Sequence, residues 1–228
     1  DFCLSRGLGD VYKRQPFNDP LALNIFEQAN TLGIFQFESD GMINFLKQLK
    51  ANTFDDICAA IALYRPSAMQ NIPTYIRRKH KQEKIDYLDD SLIPILKSTY
   101  GIMIYQEQVM QIANIMADYS LGEADILRKA MSKKKKDLVL MEEQKFKKRS
   151  LQKGYKEEVI NKVYTMMLKF AEYGFNKSHS VGYSLVSYRM AYLKAHYPKI
   201  FISNLLSIEM NDDTKCKKLS LIHISSPR

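Results

Sequence analysis

The sequence predicts a mainly α-helical fold with at most one or two short strands. Three observations predict it. Apolar residues recur at three- and four-residue spacings along most of the chain, which is the period of one helix face. Between these runs stand helix-start residues (Asp, Ser or Thr) and helix-stop residues (Gly or Pro). Only residues 33–37 and 101–105 read as extended, and the chain shows no internal repeat, no sustained heptad and no long Gly/Ser linker.

The elements follow in order. Asp19-Pro20 starts a helix, with proline at the first helical position and Leu21, Ile25, Phe26 and Ala29 at helical spacing. Residues 33–37 (Gly-Ile-Phe-Gln-Phe) alternate apolar and polar after a glycine, which predicts a short strand or extended segment. Ser39 caps a helix with Met42, Phe45, Leu46 and Leu49 on its inner face. Thr53 caps the next, with Asp55 and Asp56 at the positive end of its dipole, and Arg65-Pro66 stops it. A short helix is expected over 75–79, and mixed loop and helix over 86–98. Residues 101–105 read as a small strand or buried turn.

Helices are then expected over 106–117 and 121–131. Ser120 and Glu123 form a capping-box pattern at the start of the second. Three more follow, over 137–153, 157–173 and 178–196. Gly174 is the expected left-handed residue ending the second of them, and Ser178 the expected cap of the third. Tyr197-Pro198 stops it, and a last helix covers 200–210.

With 228 residues, 46% of them hydrophobic, the chain can bury a sizeable core. Residues 1–15 and 216–228 read as non-native tails, of the kind translated from sequencing adapters. The body is therefore expected to be residues 16–215 of a longer protein. Cys3, Cys58 and Cys216 are odd in number and far apart, so neither a disulfide framework nor a metal-binding CxxC is expected. A reducing, cytoplasmic setting follows. No apolar run approaches the roughly 18–20 residues of a membrane span, so no membrane partner is expected.

The formal net charge is +9, which suits a polyanionic partner. An inert lysine-rich surface is the other reading. Residues 128–153 hold 11 Lys/Arg against three acids, a local excess of +8 that is most of the chain's total. Lys133, Lys134, Lys135 and Lys136 follow a helix end and could track a phosphate backbone, or form a solvated loop. Arg128 and Lys129 could clamp a phosphate, or pair with Glu123 or Asp125. Residues 173–180 (Tyr-Gly-Phe-Asn-Lys-Ser-His-Ser) place Asn176, Lys177 and His179 at a helix start, where N–H groups favour an anion. The competing reading is structural, with Asn176 in a left-handed turn and His179 buried.

These segments carry a family resemblance. They are GIFQFES (33–39), AAIALYRP (59–66), IRRKH (76–80), TYGIMIYQEQVMQIA (99–113), YSLGEADILRKAM (119–131), KFAEYGFNKSHSVGYSLVSY (169–188) and YLKAHYP (192–198). In this order they resemble the catalytic alpha subunits of bacterial replicative DNA polymerase III, of the DnaE-type branch of the C-family polymerases. The resemblance covers essentially all of 16–215.

It implies a multi-helix fingers domain of an enzyme that extends a primer on template DNA from deoxynucleoside triphosphates. It implies that Arg128, Lys129, Asn176, Lys177 and His179 bind the incoming triphosphate and that Lys133–Lys136 face the DNA backbone. It also implies two Mg²⁺ ions held by palm aspartates outside this chain, and replisome partners such as a sliding clamp that bind elsewhere. The chain alone is expected to be inactive, with no catalytic residue of its own. The alternative is a non-catalytic helical nucleic-acid-binding protein. Several positions depart from the family pattern: Ser67-Ala68 follow Arg-Pro, Lys81 stands where glycine is usual, and Lys129 replaces an arginine. Ser132 and Arg149 each replace a glycine, and Val181-Gly182 replace alanines.

Overall fold

A computed structural model of the chain describes residues 16–133, 136–171, 174–208 and 210. The tails expected at 1–15 and 216–228 lie outside the described residues. The predicted fold class holds. Among the described residues there are eleven α-helices and no strand beyond a single isolated parallel bridge between Tyr105 and Phe175. The chain divides into two compact units, one of residues 1–57 and 182–228 and one of residues 58–181.

In the first unit, α1 (Pro20–Glu27) starts as its sequence requires. Asp19 accepts the N–H of Ala22 at 2.8 Å, and Pro20 fills a position that needs no donor. Phe26 of α1 is fully buried and meets Phe37 edge-on, with ring centroids 5.1 Å apart. Ser39 caps α2 (Asp40–Leu49), which buries the four residues expected of it. Thr53 accepts the N–H of Asp56, whose carboxylate accepts the N–H groups of Asn52 and Thr53 in return. This reciprocal cap starts α3 (Phe54–Leu63).

Residues 33–37 correct an expectation, since they wind through turns and form no strand. Gly33 and Gln36 take φ values of 76° and 66°. The Thr31 hydroxyl closes the loop by donating to the Phe37 carbonyl at 2.7 Å. Ile34 and Phe37 are buried while Phe35 and Gln36 are exposed. The buried pair is three residues apart, so the apparent alternation belongs to a looped segment and not to a pleat.

The second part of α10 (Lys177–His196) holds this loop within the same unit. Ser187 donates to the Phe35 carbonyl, and the Tyr188 hydroxyl accepts from Asp19 N–H and donates to the Pro16 carbonyl. The Lys194 ammonium donates to the carbonyls of Asn30 and Leu32 at 2.8 and 2.9 Å. Burial pushes its pKa down to about 8. The last helix, α11, spans Pro198–Ile208.

In the second unit, α4 (Ile72–Lys79) follows a single 3₁₀ turn, and its buried Tyr75 lies edge-on to Tyr100. The stretch expected to mix loop and helix does so, as two 3₁₀ turns flanking the one-turn α5 (Ile93–Leu96). The core lies between α6 (Gln106–Ala117), α7 (Leu121–Ser132), α8 (Lys136–Gln152) and α9 (Glu157–Ala171). Met116, Leu127, Phe146, Ile160 and Met167 fill it.

The Ser120/Glu123 capping box forms as expected, with reciprocal bonds of 3.3 and 2.9 Å. Glu123 also pairs with Arg149 and Lys145 of α8. These two partners, with the Ser120 N–H, hold its carboxyl well below the usual range. Tyr119 is fully buried and donates to Glu142 at 2.9 Å, and burial raises its phenol far above the ordinary value. Lys145 and Arg149 lie over the Tyr119 ring. One buried tyrosine thereby joins the start of α7 to α8.

Candidate functional site

The site grows from the start of α6. The backbone at 104–106 runs beside 174–176, where Phe175 N–H donates to the Ile104 carbonyl and Gln106 N–H donates to the Phe175 carbonyl, at 3.1 and 2.9 Å. This pairing brings the first turns of α6 and α10 together. The cap of α10 corrects an expectation. Helix α10 begins at Lys177, and Asn176 rather than Ser178 caps it by accepting the His179 N–H at 2.8 Å. A side chain can cap only from the residue ahead of the first helical one, and Ser178 already lies inside the helix. Asn176 has no positive φ and acts structurally as the cap rather than as a left-handed turn residue, and His179 is exposed rather than buried.

The first N–H of α10 already has an anion. Glu107 accepts the Lys177 N–H with both oxygens, and Asn176 donates its amide to the same carboxylate. The Lys177 ammonium lies 5.5 Å from the centre of the Tyr105 ring. His179 packs against Phe175, and the Arg65 guanidinium lies 5.0 Å from the centre of the same ring. Gly174 is not left-handed. It is needed for close approach: a Cβ there would sit 2.8 Å from Gln106 Cγ and 3.0 Å from the Phe170 ring. The helix end expected at 173 lies outside the described residues.

Arg128 is half-buried on α7 and is aimed by two neighbours. Its Nε and Nη2 donate to Asp125 at 3.1 and 2.7 Å, and its Nη1 donates to the Gln106 side chain at 3.1 Å. A guanidinium has five N–H donors, so these three bonds leave two for a ligand. Lys129 is more exposed and pairs with the other Asp125 oxygen at 2.6 Å. Gln106 also donates to the Gly174 carbonyl at 2.8 Å. One amide thus joins Arg128 to the turn that carries Asn176 and Lys177.

The basic stretch is less bare than its count suggests. Besides Arg128 and Lys129 on Asp125, Lys145 and Arg149 pair with Glu123, Lys147 with Glu143, and Lys153 with Asp118. Asp118, Glu123 and Asp125 precede the stretch in sequence and offset part of its excess. Solvent screens such surface pairs and leaves them weak, so a phosphate backbone can compete for the cations. Lys133 is exposed and ends α7. Lys134 and Lys135 lie outside the described residues, and of Lys136 only the backbone, at the first position of α8, is described.

Sequence reasoning singled out the cations and offered Asp125 as a partner for Arg128 and Lys129, which the structure shows, but it missed Gln106 and Glu107, and Arg65 over the Phe175 ring. The one signal was the run Tyr-Gln-Glu-Gln at 105–108, two amides and an acid opening a helix next to an apolar segment. Gln108 turns inward and accepts the N–H groups of Ile104 and Tyr105 at 2.8 and 3.0 Å. Among the described residues, no group of three His, Cys, Asp or Glu could hold a metal ion, and no helix is long and apolar enough to cross a membrane.

Residues 8–154 match the family model described as the bacterial DNA polymerase III alpha subunit finger domain. The chain is 46% identical over 213 residues to the DNA polymerase III subunit alpha of Staphylococcus aureus strain N315, covering 93% of this chain and 20% of that protein. It is 48% identical over 207 residues to the DNA polymerase III subunit alpha of Halalkalibacterium halodurans, covering 91% of this chain and 18% of that one. The chain spans about a fifth of the length of the curated relatives it matches.

Proposed function

This chain belongs to the bacterial DNA polymerase III alpha subunit finger-domain family, and from that premise we propose that it holds the incoming deoxynucleoside triphosphate for template-directed DNA synthesis. The observation that carries the reading is the meeting of Arg128 with the 174–177 turn through Gln106. Cations held in fixed positions beside a triphosphate offset the charge that develops as pyrophosphate leaves. Arg128 has donors to spare, while Lys177 and His179 stand exposed at a helix start. Lys129 contributes as a point charge and Asn176 as an orienting amide. The lysines at 133–136 would face the template or duplex backbone.

The polymerase as a whole is the nucleotidyltransferase, working in the cytoplasm on primer–template DNA with replisome partners such as a sliding clamp. Mg²⁺ would supply activation of the primer hydroxyl and stabilisation of pyrophosphate. The reading puts it on carboxylates elsewhere in the subunit. The part played by this chain is to bind and orient the substrate.

The test is single-nucleotide incorporation by the full-length subunit. Arg128→Ala and Lys177→Ala should each raise the apparent nucleotide Kd about 10–100-fold, the range of one or two charge-assisted hydrogen bonds. Primer–template affinity should stay within about twofold. Unchanged nucleotide affinity in both variants would refute the assignment.

A further inference from the structure

We infer that Gln106 is a positioning residue that locks Arg128 to the start of α10, so that the two halves of the triphosphate pocket keep one spacing; the inference rests on the function proposed above. The geometry carries it. The Gln106 side chain accepts from Arg128 Nη1 at 3.1 Å and donates to the Gly174 carbonyl at 2.8 Å. Its own backbone N–H donates to the Phe175 carbonyl at 2.9 Å. A carboxamide is suited to this because it accepts from a guanidinium and donates to a carbonyl at the same time. A carboxylate could do only the first and would bring negative charge toward the phosphates.

Gly174 supplies an independent observation. A Cβ there would lie 2.8 Å from Gln106 Cγ, the middle of that side chain rather than its flexible end. The glycine therefore makes the room in which Gln106 lies against the backbone. Asp125 holds the other edge of Arg128. With Gln106 removed, the guanidinium keeps one anchor and can swing about it. The 174–177 turn loses one of its side-chain ties to α6 and keeps those from Glu107 and its backbone pairing.

The experiment uses the full-length subunit in single-nucleotide incorporation, with wild type, Gln106→Ala, Gln106→Glu, Gly174→Ala, Arg128→Ala, Lys177→Ala and the Gln106→Ala/Arg128→Ala double variant. Gln106→Ala should raise the apparent nucleotide Kd about tenfold, the size of one charge-assisted hydrogen bond, with primer–template affinity within twofold of wild type. Gln106→Glu, which keeps an acceptor for Arg128 but loses the Gly174 bond and brings an acid toward the phosphates, should lose affinity as well. The double variant should bind nucleotide no worse than Arg128→Ala alone, because Gln106 acts through Arg128.

Losses that multiply in the double variant, or wild-type nucleotide affinity in Gln106→Ala, would overturn the inference. Should Gln106→Ala fail to fold, Gly174→Ala decides. Displacing the amide should reproduce the loss, and wild-type nucleotide affinity would overturn the inference. If Arg128→Ala and Lys177→Ala leave nucleotide affinity unchanged, the nucleotide reading itself fails. If they weaken it while Gln106→Ala does not, only the positioning role fails.

Discussion

The Glu107 carboxylate receives the Lys177 backbone N–H on both oxygens, at 3.1 and 3.0 Å. It therefore occupies part of the anion-attracting end of α10 with a charge of the protein's own. On the proposed reading, an arriving phosphate would meet the Lys177 and His179 side chains and a neighbouring acid together.

Replacing that acid should tighten anion binding. Glu107→Gln keeps an oxygen for the Lys177 N–H and removes the repulsion. Nucleotide affinity of the full-length subunit should rise about three- to tenfold, as expected for one charge lifted from a partly solvated site. Titration at low and high salt checks this, and the gain should shrink at high salt. A fall in affinity would mean that Glu107 serves only to set the start of α10.

Lys81 carries a different prediction. It takes a φ of 60°, in the left-handed region that favours glycine. A side chain in that region costs about 1–2 kcal/mol, part of which glycine returns through its larger unfolded-state entropy. Lys81→Gly should stabilise the second unit by about 0.5–1 kcal/mol, read as slower hydrogen exchange at the end of α4. Gly182 is the reverse case, a glycine inside α10 at which an added Cβ would meet nothing within 4 Å. Gly182→Ala should add about 0.5–1 kcal/mol to that helix.

Lys194 predicts a pH dependence. Burial holds its folded pKa at about 8, against an ordinary 10.5. Between these values the unfolded chain binds more protons than the folded one, so the contribution of this group to stability rises with pH. Below pH 8 the lysine is charged in both states and its full desolvation cost applies. Wild type should therefore gain more stability from pH 7.5 to 9.5 than Lys194→Met does. Denaturant unfolding at the two values measures the difference, and equal gains would refute it.

Much of the helical plan is legible because its signals are local. Asp19, Ser39, Thr53 and Ser120 each bond an N–H three residues on, and the apolar face of α2 follows from spacing alone. The errors lie where a local pattern has two readings. Residues 33–37 alternate like a strand but are drawn into turns by bonds from Thr31 and Ser187. At α10, asparagine and serine both make good caps, and the pairing of Phe175 with residues 104–106 decides for Asn176.

The same division runs through the site. The amino-acid order alone specifies where the cations stand, which helices carry them, and that Arg128 and Lys177 suit phosphate. Their joint use is a product of the folded chain. Gln106 reaches Arg128 across 22 positions and Gly174 across 68, and Glu107 meets Lys177 across 70. Bonds of that span depend on how α6, α7 and the start of α10 pack, and no periodicity in the sequence encodes them. The pairing of Lys145 and Arg149 with Glu123 and of Lys153 with Asp118 likewise needed the packed helices, whereas Asp125 meets Arg128 and Lys129 within one helix. Propensity and capping act over three or four residues, whereas the electrostatics of a site are summed over every charge that packing brings near.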